Sequence, residues 1–168
     1  MKIFYGFNEK KRFFFRQNNI FFIFIIIIIF CVDRYSKFLA INKLKNNNYF
    51  LNDYINFDLI WNTGIGFGLL GTVSSIFYNL ITIIIGVVIS ILIYIVAISQ
   101  KIDQFIYSLI IGGALGNFYD RLIFKAVPDF IDIHFNNFHW FTFNVADIFI
   151  SLGIIIYMCK SFFINNNN

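Results

Sequence analysis

The sequence predicts an all-α integral membrane protein, a four-transmembrane-helix bundle with a small β-like segment and loops at its outer interface. Of its 168 residues, 59% are apolar and 21% aromatic, while only 13% are charged, roughly half the charged share of an ordinary soluble domain. A water-soluble fold of this size lacks the interior to hide so much Phe and Ile, and a disordered chain needs the opposite balance. The apolar residues also gather into four stretches of about the 20 residues that cross about 30 Å of hydrocarbon.

The first stretch runs from about Ile20 to Leu39 and opens with a block of Ile and Phe. Ahead of it stand Lys2, Lys10, Lys11, Arg12 and Arg16, five of the thirteen basic residues. That crowding marks a cytoplasmic flank and accounts for the net charge of +4 without nucleic acid as a partner. No small-x-small cleavage site follows the block, which ends in Asp33, Arg34 and Lys37, so the segment reads as a retained helix and not a cleaved leader.

The second stretch, about Ile76 to Ile98, and the third, about Phe105 to Ile123, are joined only by Ser99 to Gln104, which makes them a helical hairpin. The fourth runs from about Phe143 to Cys159. Four crossings with a basic amino terminus inside give a single membrane domain over residues 1–168 with both termini cytoplasmic. Two long loops, about 40–75 and 124–142, then lie outside.

Lys and Arg divide almost evenly between the faces, so the orientation rests on the first helix. The acids do not divide evenly. Glu9 and Asp103 fall inside, whereas Asp33, Asp53, Asp58, Asp120, Asp129, Asp132 and Asp147 fall toward the outer face, which is where chemistry is expected. Within the outer loops, Tyr54 to Asn62 alternates in polarity and Val127 to Phe135 does so more weakly. Both read as short strands at the membrane surface, with Trp61 and Trp140 as interfacial anchors. Cys31 and Cys159 lie in apolar runs near opposite faces, so no disulfide is expected.

Ionisable side chains at the ends of spanning helices are functional candidates because burying them costs free energy. Each also has a plain structural reading. Asp33 and Lys37, four apart, make an ion pair on one helix face, with Lys37 free to reach the surface. Asn117, Asp120 and Arg121 follow three glycines at 112, 113 and 116 that permit close helix approach, and they read equally as a polar helix end. Asn144-Val-Ala-Asp147 is a helix-start signature, with Asn as cap and an acid at the third helical position.

Asp129 is different. Pro128, the one proline of the chain, pushes Val127 toward an extended conformation, so Asp129 emerges from a stiff, non-helical segment. If that segment folds over the start of the fourth helix, Asp129 and Asp147 can meet and share one proton. One then serves as base toward water and the other as acid toward a carbonyl or leaving amine. Asn62-Thr-Gly64 is a turn able to hold an extended peptide. His134 and His139 are five apart with no Cys or Glu at ligand spacing, so no metal or other cofactor is expected. No serine elbow or phosphate loop is present.

The ordered set Asp33-x-x-x-Lys37, Asn62-Thr-Gly-Ile-Gly-Phe-Gly68, Gly112-Gly-Ala-Leu-Gly-Asn-Phe-Tyr-Asp-Arg121, Val127-Pro-Asp-Phe130 and Phe143-Asn-Val-Ala-Asp147 closely resembles the bacterial lipoprotein signal peptidase (signal peptidase II) family over about Ile20 to Met158. The resemblance implies a multi-pass aspartic endopeptidase of the bacterial inner membrane with its active site on the periplasmic side. It would remove the signal peptide of diacylglyceryl-modified prolipoproteins before the lipidated cysteine, acting as a monomer among membrane lipids. On that pattern Asp129 and Asp147 are the catalytic pair, and Asn117, Arg121 and Asn144 hold the dyad and the substrate backbone. Asn62 and Gly64 contact substrate, Asp33 and Lys37 support the fold or site, and Asp120 is structural. Three places depart from the pattern: Pro128 where an aliphatic residue is usual, Lys125 where glycine is common, and Ile65-Gly66 where an Ala pair is usual.

The competing class is a small non-enzymatic carrier that uses the same carboxylates as a proton or ion relay. A relay should continue across the membrane, and the inner halves of these helices are nearly free of acids.

Overall fold

A computed structural model describes residues 17–45, 48–63, 75–136 and 138–165. The basic amino-terminal cluster and Gly64, Ile65 and Gly66 lie outside the described residues. Among the described residues are four helices: α1 (Gln17–Lys43), α2 (Ser75–Ile98), α3 (Lys101–Phe124) and α4 (Val145–Asn165). Between them lie β1 (Tyr49–Phe50), β2 (Ile55–Asn62), β3 (Val127–Phe135) and β4 (Phe138–Phe143).

The described chain is therefore not all-α. The two loops expected at the outer interface pair with each other in one four-stranded antiparallel sheet of order β1-β2-β3-β4. The strands expected from alternation are β2 and β3, while β4 takes residues assigned above to a loop and to the first turn of the last helix. Phe143 belongs to β4, and α4 starts at Val145 because Asn144 caps it. The link between α2 and α3 is tighter than expected, since α3 already begins at Lys101.

Helices α1, α2 and α4 are long and apolar enough to cross a membrane, with mean hydropathy of 2.0, 3.1 and 1.8. Their outward residues, such as Phe21, Ile83 and Ile155, are exposed, which suits helices whose surroundings are lipid. α3 carries Lys101, Asp103, Asp120 and Arg121 and is the hub of the bundle, packing on α1, α2 and α4. Shielded by three helices, it can keep polar groups where a lipid-facing helix could not. Two of its glycines set the approach distances. A methyl at Gly113 would strike the Ala146 carbonyl of α4, and one at Gly116 would strike the Asp33 carboxylate of α1.

Two β-bulges decide which side chains share a face. Ile55 to Phe57 pair with Ile133 to Ile131, but after a register shift Ile60 lies opposite Asp129 and Asn62 opposite Val127. Because side chains alternate along a strand, the extra residue in β2 carries Asn62 onto the face of Asp129; unshifted pairing would turn it away. A second shift, between Ile133 and His134, places His139 instead of Trp140 opposite His134. Pro128 pairs with Trp61 where β4 does not yet reach, so its missing N–H costs no ladder bond on that side.

Candidate active site

The site is built on the amino-terminal end of α4, where the first backbone N–H groups of a helix have no partner of their own. Asn144 and Asp147 form a reciprocal cap. The Asp147 N–H donates to Asn144 Oδ1 at 3.2 Å, and the Asn144 N–H donates to Asp147 Oδ2 at 3.1 Å. The next free donor, the Ala146 N–H, is taken by Asp33 Oδ1 from α1 at 3.0 Å. Asp147 Oδ1 accepts from Asn117 Nδ2 of α3 at 2.7 Å. Its carboxylate is thus fixed by two helices at a terminus whose dipole favours negative charge.

Asp129 reaches the same place from β3. Asn144 Nδ2 donates to its Oδ1 at 2.6 Å, and Asn62 Nδ2 donates to its Oδ2 at 2.9 Å. The residue is 4% exposed. Burial, reinforced by the negative charge of Asp147, pushes the Asp129 carboxyl up to about 6. The amides of Asn62 and Asn144, and the charge of Lys37, hold it back from rising further. Burial wins because both Asp129 donors are neutral amides, which solvate an anion less well than a paired cation.

Behind the carboxylates lies a buried ion cluster. Lys37 Nζ, 1% exposed, contacts Asp33 Oδ2 at 3.0 Å and donates to Asp120 Oδ2 at 2.7 Å and Asn117 Oδ1 at 2.8 Å. Arg34 grips Asp120 with both terminal nitrogens, at 2.5 and 2.8 Å, and touches Asp33 at 3.1 Å. It also lies 4.9 Å from the centre of the Tyr119 ring. Two acids and two bases cancel in formal charge. The cluster orients Asn117, whose amide runs from Lys37 on one side to Asp147 on the other.

Asp129 and Asp147 both line one cleft of about 610 Å³. Polar groups from Asn62, Arg121 and Asn144 stand at one end, and Ile148, Leu152 and Ile155 of α4 with Ile133 and Phe141 of the sheet form an apolar wall. Such a shape receives an extended polar segment next to an apolar one. Of its two carboxylates, Asp129 keeps its proton up to about pH 6 and Asp147 is held by donors, so the pair can act as acid toward a carbonyl and base toward a water.

The family model described as "Signal peptidase (SPase) II" matches residues 25–163. The chain belongs to the signal peptidase II family. A lipoprotein signal peptidase of Pelagibacter ubique is 46% identical over 142 residues, 82% of this chain and 85% of that protein. One of Francisella tularensis subsp. novicida is 38% identical over 140 residues, covering 80% and 87%. A bacterial membrane enzyme solved in meso at 2.3 Å superposes with a TM-score of 0.74 at 27% identity, covering 88% of this chain and 90% of the other. The chain is thus a member of a membrane peptidase family.

Of the residues singled out from sequence, this signal peptidase II chain brings Asp33, Lys37, Asn62, Asn117, Asp120, Asp129, Asn144 and Asp147 into one hydrogen-bonded network. Asn62 meets Asp129 directly. Arg121 lines the cleft and donates to the Asn117 carbonyl at 3.1 Å. Lys37 does not reach the surface, as its plain reading allowed; it points inward. Arg34 was missed as a partner of Asp120, since neighbours on different helices leave no spacing in the sequence. On the reverse face of β3, Asp132 joins His134 and His139; the sequence spacing pairs the two histidines but offers no third ligand, because the strand register that brings Asp132 to them is invisible in one dimension.

Proposed function

We propose that the protein is an intramembrane aspartic endopeptidase that cleaves the signal peptide from diacylglyceryl-modified prolipoproteins immediately before the lipidated cysteine. The observation that carries this reading is the joint anchoring of Asp129 and Asp147 by Asn144 in one cleft that is lined mostly by apolar side chains. The family membership supports the peptidase class, and the relatives, which are lipoprotein signal peptidases, support the lipoprotein substrate.

In the proposed reaction, Asp147 removes a proton from a water as its oxygen attacks the scissile carbonyl carbon, and Asp129 gives its proton to the carbonyl oxygen. Collapse of the tetrahedral species breaks the C–N bond: the leaving nitrogen takes the proton held by Asp147, and a hydroxyl of the species returns a proton to Asp129, which restores the starting state of the pair. The apolar helix of the signal peptide lies along Ile148, Leu152 and Ile155 while the lipid chains stay in the bilayer. Partition into the membrane thus delivers the cleavage segment to the dyad. All four helices cross the inner membrane, both termini are cytoplasmic, and the sheet and cleft face the periplasm in a monomer. Arg121 and Asn62 are placed to meet the substrate backbone.

The deciding experiment incubates the purified protein in liposomes with a diacylglyceryl precursor peptide and with its unlipidated twin. Cleavage of the lipidated peptide before the modified cysteine is the expected result. Proton flux across the vesicles without cleavage would replace this reading with the carrier.

A further inference from the structure

On the face of β3 turned away from Asp129, three potential ligands converge. The Asp132 Oδ2 lies 2.7 Å from His139 Nδ1 and 3.4 Å from His134 Nδ1. The imidazole rings stack with centroids 5.2 Å apart and planes inclined by 26°. One ligand atom from each residue falls within 4.8 Å of the others. Two donors bound to one tetrahedral zinc at about 2.0–2.2 Å stand about 3.3 Å apart, so the carboxylate-to-imidazole spacings straddle the required value.

Two further observations point the same way. His134 is 7% exposed, and its Nδ1, aimed into the cluster, has no hydrogen-bond partner. A buried imidazole nitrogen left this way costs free energy that a metal bond would recover. Across the sheet, Asn56 pairs with Asp132 and therefore shares its face, and its side-chain oxygen is also buried without a hydrogen-bond partner. The bulge that sets His139 opposite His134 is what assembles the set, since regular pairing would put Trp140 there. His139 is 59% exposed, which leaves an entry path.

We infer that Asp132, His134 and His139 form a binding site for a divalent transition metal of the zinc class, which ties β4 to β3 on the sheet face opposite the carboxylate dyad. Two imidazoles and one carboxylate favour Zn²⁺, Co²⁺ or Ni²⁺ over Mg²⁺ or Ca²⁺. The site does not depend on the peptidase reading.

The test uses the full chain purified in detergent with an affinity tag that contains no histidine. Calorimetry with Zn²⁺, and titration with Co²⁺ followed by visible absorbance, are run on the parent protein, on His139→Ala and on Asp132→Asn. The expected result is saturable Zn²⁺ binding, a Co²⁺ band typical of nitrogen and oxygen ligation, and affinity weakened about 10- to 100-fold or more in each variant. Thermal unfolding of the parent should shift upward with Zn²⁺ and not with Mg²⁺. Absence of Zn²⁺ binding by the parent, or equal binding by the exposed-site variant His139→Ala, would overturn the inference.

Discussion

Asp129 and Asp147 are coupled through one intervening side chain: Asn144 donates its amide to the first at 2.6 Å and exchanges backbone and side-chain bonds with the second at 3.1 and 3.2 Å. The residue that starts α4 is thus also the spacer of the dyad. A helix cap has fixed geometry, so Asp147 is placed relative to Asn144 by secondary structure, and the Asn144 side chain carries that placement to Asp129.

Replacing either acid with its amide should stop turnover and leave the fold in place. For Asp129→Asn and Asp147→Asn the expected loss is at least about 10²–10⁴-fold, the usual contribution of general acid–base catalysis. Helix content by circular dichroism should stay at the parent level. Near-parental cleavage by either variant would end the dyad assignment.

Asn144→Asp separates capping from donation. Aspartate caps a helix as well as asparagine does, but it replaces the amide donor to Asp129 with a second carboxylate. Thermal stability should change little near acidic pH, while the pH profile of cleavage shifts upward because Asp129 becomes harder to ionise. An unmoved profile would show that the Asn144 contact to Asp129 is incidental.

The raised Asp129 carboxyl gives a sign for stability against pH. Its folded value of about 6 lies above the ordinary 3.8, so the folded chain holds an extra proton between the two. The associated stability is fully present below about pH 4, declines through that window and is lost above about pH 6. Asp129→Asn should flatten this decline in unfolding measurements across the same range. In the parent, kcat/KM should fall as pH rises through the ionisation of Asp129 in the free enzyme, if this residue holds the catalytic proton.

The buried cluster should tolerate balanced changes better than single ones. Lys37→Met leaves Asp33 and Asp120 with only Arg34 as counter-charge, and should cost about 3–5 kcal/mol, the range for breaking a buried pair. Adding Asp120→Asn removes one uncompensated acid and should recover part of the loss in detergent unfolding experiments. A double variant whose loss equals or exceeds the sum of the two singles would show that the charges are not coupled in this way.

Lys125 ends α3 in the left-handed region, at φ 55° and ψ 22°, a conformation that costs a side-chain-bearing residue about 1 kcal/mol or more and glycine almost nothing. Lys125→Gly should therefore raise stability by about 1 kcal/mol. A lowered unfolding temperature would show that the lysine side chain makes a compensating contact.

Glycine is common at this position in the resembling pattern, and the backbone supplies the reason. Much else was legible in the same way. The four apolar stretches coincide with α1 to α4, and in α1, α2 and α4 they are long and apolar enough to cross a membrane. The alternation of Tyr54 to Asn62 and Val127 to Phe135 marks β2 and β3 because side chains alternate along a strand. Asn144 and Asp147 announce a helix start because orphan N–H groups need acceptors within three residues.

By itself, then, the sequence determined the four helices, β2 and β3, the cap and the ordered motifs that signify a membrane peptidase, since each depends on neighbours a few residues apart. Only the tertiary structure decided that the two outer loops form one sheet, that a bulge turns Asn62 toward Asp129, that Arg34 clasps Asp120 from another helix, and that Asp132 meets two histidines. Those relationships depend on strand register and helix approach, where a shift of one residue reverses a side chain's face, and no local pattern in the chain records that choice.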